Sequence, residues 1–136
     1  MAMSETRKPA RPSLAGGSAV ATIAVRDVRA SRKFYENTLG LTVEDVRGAD
    51  VVTYISGDSR IFVYKSDFAG SNKATCVTWV CRDVDAVAAG LKARGVAFEH
   101  YPFPNMKLEG DVHVSGEMRS AWFKDPDGNI LAVVSG

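Results

Sequence analysis

Hydrophobic positions rich in β-formers run along Ala19–Val25 (AVATIAV), broken only by the polar Thr22, which predicts a strand. Asp27 follows as a helix N-cap candidate. Val28, Ser31, Phe34, Tyr35 and Leu39 then recur at helical spacing until Gly40 closes the run. Strand-like stretches come next at Leu41–Val46, Val51–Ser56 and Arg60–Lys65, with Gly48 and Gly57-Asp58 as turns. The chain then starts over. Thr75–Val80 (TCVTWV) reads as a strand and Asp83 as a cap, while Val84, Val87, Ala88 and Leu91 are spaced i, i+3, i+4, i+7 before Gly95. Ala97–Tyr101, Ser120–Lys124 and Ile130–Val134 are strand-like, and Asp125-Pro126-Asp127-Gly128-Asn129 is a strong turn between the last two.

The two halves share one grammar. Arg26-Asp27-Val28 and Arg82-Asp83-Val84 are the same tripeptide 56 residues apart, and Leu39-Gly40-Leu41 falls nearly in register with Arg94-Gly95-Val96 at an offset of 55. Strand, helix and three strands, stated twice, predict an α+β fold. Its two tandem βαβββ modules would form a cleft-shaped, mixed-sheet half-barrel with helices on the outer face. The reading divides the chain into a flexible N-terminal tail over 1–18, a first module over 19–70 and a second over 71–136, in one compact domain. The second half is longer by about 15 residues, and the surplus falls between Pro102 and Met118. Pro102, Pro104, Gly110 and Gly116 make this stretch the expected pocket-covering loop.

Charge narrows the partners. Seventeen basic side chains against sixteen acidic ones leave no basic excess for phosphates, so no nucleic-acid partner is expected. No stretch approaches the roughly 20 apolar residues that cross a bilayer, and the tail has Arg7, Lys8 and Arg11 but no apolar core of a secretion signal. A cytoplasmic protein without a membrane partner is the expectation. Cys76 and Cys81 lie five apart in a strand-like run, on opposite faces, which argues against a disulfide between them and gives no zinc spacing.

Two motifs go further: Val25-x-Asp27-Val28-x-x-Ser31-x-x-Phe34-Tyr35-x-x-x-Leu39-Gly40-Leu41, and Phe123-x-Asp125-Pro126-Asp127-Gly128-Asn129 near the C-terminus. With the repeat, they resemble the vicinal oxygen chelate superfamily of glyoxalase I, extradiol dioxygenases, fosfomycin-resistance enzymes and bleomycin-resistance proteins, over nearly all of the chain from about Ser18. In the metalloenzymes of that family a ligand comes from each module's first strand and each module's last. The resemblance puts those positions at Val20, Phe62, Cys76 and Ala132. Valine, phenylalanine and alanine offer no side-chain lone pair, and one cysteine does not hold an ion that takes three or four protein ligands. No metal and no cofactor are therefore expected, and the chain looks most like the metal-free bleomycin-resistance type. Elsewhere, Glu109-x-Asp111-x-His113 would share a face if extended; otherwise it is a solvated polar loop, with His100 close by.

If the ligand positions face the cleft, alternation adds Thr22 and Ala24, Tyr64, Thr78 and Val80 to that face, together with Ile130 and Val134. Ile23, Val25, Ile61, Val63, Val77, Leu131 and Val133 would lie under the helices, with Thr75 and Trp79 on that parity. Phe123 is expected in the core and Trp122 in the cleft, with Phe103, Met106 and Met118 as cover. The expected ligand-binding set is Val20, Thr22, Phe62, Tyr64, Cys76, Thr78, Phe103, Met118, Trp122 and Ala132. No catalytic residue is assigned: no Ser-His-Asp or Cys-His arrangement is legible, and an apolar setting makes Cys76 an inert thiol. Arg60, Glu117 and Arg119 are expected near the rim. The function these features point to is metal-independent binding of a small planar or aromatic molecule such as an antibiotic, and the resemblance to the bleomycin-resistance proteins, which pair into dimers, implies a homodimer. Three rivals stay open: a metal-dependent lyase, isomerase or dioxygenase with displaced ligands; a metal-free enzyme using Tyr64, Glu117 or His113; and a purely structural module whose cleft is plugged by its own side chains.

Overall fold

A computed structural model describes residues 12–136. Most of the expected tail over 1–18 lies outside the described residues; Pro12–Ser18 forms no strand or helix, and Leu14 is exposed. The first module is β1 (Ala21–Val25), α1 (Val28–Arg32), β2 (Thr42–Arg47), β3 (Val51–Ser56) and β4 (Ser59–Lys65). The second is β5 (Thr75–Cys81), α2 (Val84–Ala93), β6 (Phe98–Glu99), β7 (Lys107–Glu109), β8 (Val112–Ser115), β9 (Met118–Lys124) and β10 (Ile130–Ser135).

The caps are where the repeated tripeptides place them. Asp27 Oδ1 accepts from the Ala30 N–H at 3.1 Å, and Asp83 Oδ1 from the Ala86 N–H at 3.0 Å. Each such cap contributes about 1 kcal/mol to its helix. Gly40 (φ 75°) and Gly95 (φ 99°) carry the chain out of the helices through the left-handed region that side chains avoid. One detail departs from the spacing. Lys33–Thr38 winds as a π-helix, with the Leu39 N–H donating to the Phe34 carbonyl five residues back, and Leu41 N–H reaches Tyr35 O. Single π turns of this kind are rare and often sit beside functional sites.

The first sheet runs β1-β4-β3-β2, and the second runs β5-β10-β9-β8-β7 with β6 also on β9. In each module the first strand lies parallel to the last and the rest pair antiparallel. The Pro102–Met118 connection is not a plain loop, contrary to expectation. It folds back as the β7–β8 hairpin, and β8 extends the sheet by pairing His113 with Ser120 and Val114 with Arg119.

The inward parity holds. Ile23, Val25, Ile61, Val63, Val77, Leu131 and Val133 are all buried, and they merge with Tyr35, Tyr54, Leu91 and Phe123 into one hydrophobic core shared by both modules. On the opposite parity Phe62 and Tyr64 are each 38% exposed and Val80 68%, whereas Ala132, expected on the cleft face, is buried. The modules are locked by a buried polar knot. Tyr35 donates to Asp125 Oδ2 at 2.5 Å, and Asn129 Nδ2 donates both to Asp125 and, at 2.8 Å, to the Ala24 carbonyl on β1. Asp125 also accepts from the Asp127 and Asn129 amides, so the turn motif closes on itself and on the first module together.

Candidate functional site

Four aromatic side chains meet on the open face of the second sheet. Trp122, on β9, is 4.9 Å from His113 on β8 in a nearly perpendicular arrangement, 5.4 Å from Phe103 and 5.7 Å from Tyr101, centroid to centroid. Such edge-to-face contacts each add about 0.5–1.5 kcal/mol beyond simple burial. The indole N–H donates to Thr75 Oγ1 at 3.1 Å, fixing the ring across β10. A cavity of about 550 Å³ opens here, between Lys73, Ala74 and Thr75 on one side and Tyr101, Pro102 and Phe103 on the other, with Trp122 and Ile130 from the sheet. That volume is in the range of small-molecule pockets, about 300–1,000 Å³.

The expected site residues divide. Phe103 and Trp122 come together in this cavity. Ala132 is buried beside it, opposite Trp122 on one strand and Thr78 on the other. Met118 is exposed at the start of β9 and Val20 lies just before β1; neither lines the cavity. Thr22, Phe62 and Tyr64 belong to the other sheet, where Thr22 pairs with Phe62, and they do not reach the aromatic group. Within one chain the expected set thus forms two separate faces rather than one cleft. Cys76 is placed differently again. The β5–β10 register shifts so that Ile130 pairs with Thr75 and Leu131 with Val77, and this bulge reverses the simple alternation. Thr75, expected under the helices, meets Trp122, while Cys76 packs against the core. Burial, and secondarily the charge of Asp125, push its thiol up, which suits an unreactive cysteine.

His113 corrects the reading of a solvated loop. It is 1% exposed, and its Nε2 accepts the Tyr101 N–H at 2.9 Å. That contact leaves the proton on Nδ1, which among the described residues has no hydrogen-bond partner; the Tyr101 hydroxyl has none either. Glu109, Asp111 and His113 do not converge, because the hairpin turns between them. Glu109 pairs with Arg119 at 3.1 Å, and Asp111 with His100 at 2.8 Å and Lys92 at 3.2 Å. The His100 contact, then Lys92, holds the Asp111 carboxyl below its usual range. Arg119 is occupied by Asp85 and Glu109 and Arg60 by Glu44, so neither guanidinium is turned to a ligand, and Glu117 is exposed. Tyr101, Thr75 and Lys73 are the site residues that alternation did not find; only the aromatic-proline run Tyr101-Pro102-Phe103 hinted at one of them.

The metal positions implied by the resemblance do not fit a metal. Val20, Phe62, Cys76 and Ala132 supply one sulfur between them, and that sulfur is turned to the core. Among the described residues no three His, Cys, Asp or Glu side chains gather as an ion would require.

Trp79 exposes a second hollow that alternation assigned to ordinary core. Its indole N–H donates to Ser56 Oγ at 2.9 Å across the module boundary, beside a half-open cavity of about 390 Å³.

Known proteins place this architecture. Among solved structures, the fosfomycin resistance protein FosX from Listeria monocytogenes matches with a TM-score of 0.67 at 18% identity, over 89% of this chain and 93% of that one. Lactoylglutathione lyase from Agrobacterium tumefaciens gives 0.66 at 18% identity, over 89% and 94%. TnmS3, an antibiotic binding protein from a Streptomyces species, gives 0.60 at 24% identity, over 88% and 97%. At these identities the likeness is one of fold. A family model matches residues 17–133, nearly all of both modules, and on that match the chain belongs to the glyoxalase/bleomycin resistance protein/dioxygenase superfamily.

Proposed function

We propose that this chain is a metal-independent small-molecule binding protein of the bleomycin-resistance type, which sequesters a planar or aromatic compound such as an antibiotic. The observation that carries the reading is the convergence of Trp122, Phe103 and Tyr101 on a cavity of about 550 Å³. Flat aromatic walls suit a flat ligand, and sequestration asks for no catalytic group. Burying a drug-sized planar molecule there corresponds to micromolar affinity, about 8 kcal/mol. The donor-poor family positions favour binding without an ion over the lyase and dioxygenase chemistries, which use a metal to polarise oxygen.

The same reading makes the protein a homodimer. Phe62 and Tyr64 on the first sheet and Val80 and Met118 on the second are exposed, and a second copy laid against these faces would bring Phe62 and Tyr64 of one protomer toward the aromatic cavity of the other. Phe62→Lys is then expected to shift the protein from dimer to monomer in light scattering; an unchanged mass removes that face from the interface. Two unpaired cysteines fit a cytoplasmic setting, and among the described residues no helix is long and apolar enough to cross a membrane.

Titration of the purified protein with planar antibiotics and aromatic metabolites tests the site. Trp122→Ala is expected to weaken any ligand found by at least about tenfold, roughly 1.4 kcal/mol, and an unchanged affinity removes Trp122 from the site. Zinc, nickel, manganese or iron retained at one equivalent through purification would overturn the metal-free reading.

A further inference from the structure

The internal repeat makes the two ends of the module interface counterparts. At the offset of 56, Tyr35 corresponds to Leu91. In the hairpins, Tyr54 paired with Ile61 matches Phe123 paired with Leu131, so Ser56, two residues past Tyr54, corresponds to Asp125. At one end, Tyr35 crosses the boundary and bonds Asp125. At the other, Leu91 stops short of Ser56, and both line the cavity of about 390 Å³. The hollow is the slot that a tyrosine and a carboxylate fill in the other half.

We propose that this inter-module cavity is a second binding site, distinct from the aromatic face, for a small uncharged molecule with an apolar body and a single hydroxyl or carbonyl group. Its volume exceeds the water-sized voids of well-packed interiors and reaches the lower range of ligand pockets. None of its lining residues is charged, so an ionic ligand would lose its hydration without gaining a partner. Leu41, Ile55, Val87, Leu91 and Val133 give the apolar body its contacts. Ser56 Oγ accepts from the Trp79 indole, which leaves the Ser56 proton to donate to a ligand oxygen, with the Thr42 hydroxyl also in the lining. The π-helical turn ending at Thr38 delivers Leu39 and Gly40 to the rim, and Cys81 in the wall is a built-in reporter.

The test uses 1-adamantanol as probe, an apolar cage with one hydroxyl, and adamantane-1-carboxylate as its anionic counterpart. Binding to the full chain is followed by the NMR signals of the Trp79 and Trp122 indole N–H groups and by the alkylation rate of Cys81 in a Cys76→Ser background. The expected result is saturable binding of the alcohol that shifts Trp79 and not Trp122 and slows Cys81 alkylation, with the carboxylate at least about tenfold weaker. Leu91→Tyr, which copies the filled end into the open one, should weaken the alcohol by at least about tenfold. Val87→Phe narrows the same cavity from another wall and serves if Leu91→Tyr does not fold. No saturation, equal binding of the carboxylate, a shift at Trp122 instead of Trp79, or full binding in both filled variants would overturn the proposal. Cys81 protection that depends on protein concentration and not on the alcohol would assign the cavity to a second copy and overturn it as well.

Discussion

The interface between the modules has a closed end and an open one, built from equivalent positions of the repeat. At the closed end Tyr35 is fully buried, stacks on Tyr54 at 6.1 Å and donates to Asp125, whose carboxylate also gathers two turn amides and Asn129. Gly70, from the linker, lies so close to the Asp127 carbonyl that any side chain there would collide with it, and its N–H donates to Asn129 Oδ1. At the open end the counterparts are Leu91 and Ser56, and the Ser56 hydroxyl accepts from the Trp79 indole rather than from a residue at position 91. A polar knot satisfies every member and fixes one geometry, whereas an aliphatic residue of lesser reach leaves space. One end is built to hold the modules together and the other to admit something.

The largest expected effect comes from erasing that difference at the closed end. Tyr35→Leu installs the residue of the open end, removes a ring from the core and leaves Asp125 without its hydroxyl donor. Cavity and lost hydrogen bond together should cost about 3–5 kcal/mol, read from urea unfolding midpoints. Tyr35→Phe keeps the ring and should cost only about 1–3 kcal/mol. Equal losses for the two variants would mean that the hydroxyl, not the packing, holds this end.

Much of this fold was legible from alternation and caps, because those signals are local. Asp27 and Asp83 announce their helices, and the inward parity of β1, β4 and β10 is written in the side chains. The β7–β8 hairpin was not legible: Lys107-Leu108-Glu109 is short, exposed and charged, as an edge strand can be when its partner alone defines it. The swap of Thr75 and Cys76 escaped because a single bulge inverts parity without marking the sequence. Of the residues that line the candidate cavity, Trp122 and Phe103 were expected from strand parity and composition. Tyr101 and His113 were not, since their roles depend on a hydrogen bond from the Tyr101 backbone to the His113 ring twelve residues on. The inter-module cavity could not be read at all, because it is made of what Leu91 and Ser56 do not reach.

Alkaline pH separates the two ends at intermediate cost. Burial first, then the charge of Asp125, raises the Tyr35 hydroxyl well above its ordinary range, so the folded state keeps a proton that the unfolded chain releases. Its contribution is intact below about pH 10 and is lost as pH rises beyond, at about 1.4 kcal/mol per pH unit for one group. Burial raises the thiols of Cys76 and Cys81 in the same direction, so the decline starts near pH 9. Unfolding midpoints taken between pH 8 and pH 11 should therefore fall, and in Tyr35→Phe they should fall less steeply above pH 10. Identical slopes would show that Tyr35 does not titrate with unfolding.

The smallest effect is the reverse exchange. Leu91→Tyr adds a ring and a hydroxyl where the open end has room, beside Ser56 as an acceptor, so the usual cost of overpacking, about 1–3 kcal/mol, should not arise. The variant is expected within about 1 kcal/mol of the parent in urea, since gained contacts offset the ordering of a larger side chain. The asymmetry with Tyr35→Leu is the point of the pair: the same two residue types are exchanged at equivalent positions, and only one direction is costly. If Leu91→Tyr is instead as damaging as Tyr35→Leu, the hollow is not space the fold can fill, and the open end owes its shape to strain rather than to vacancy.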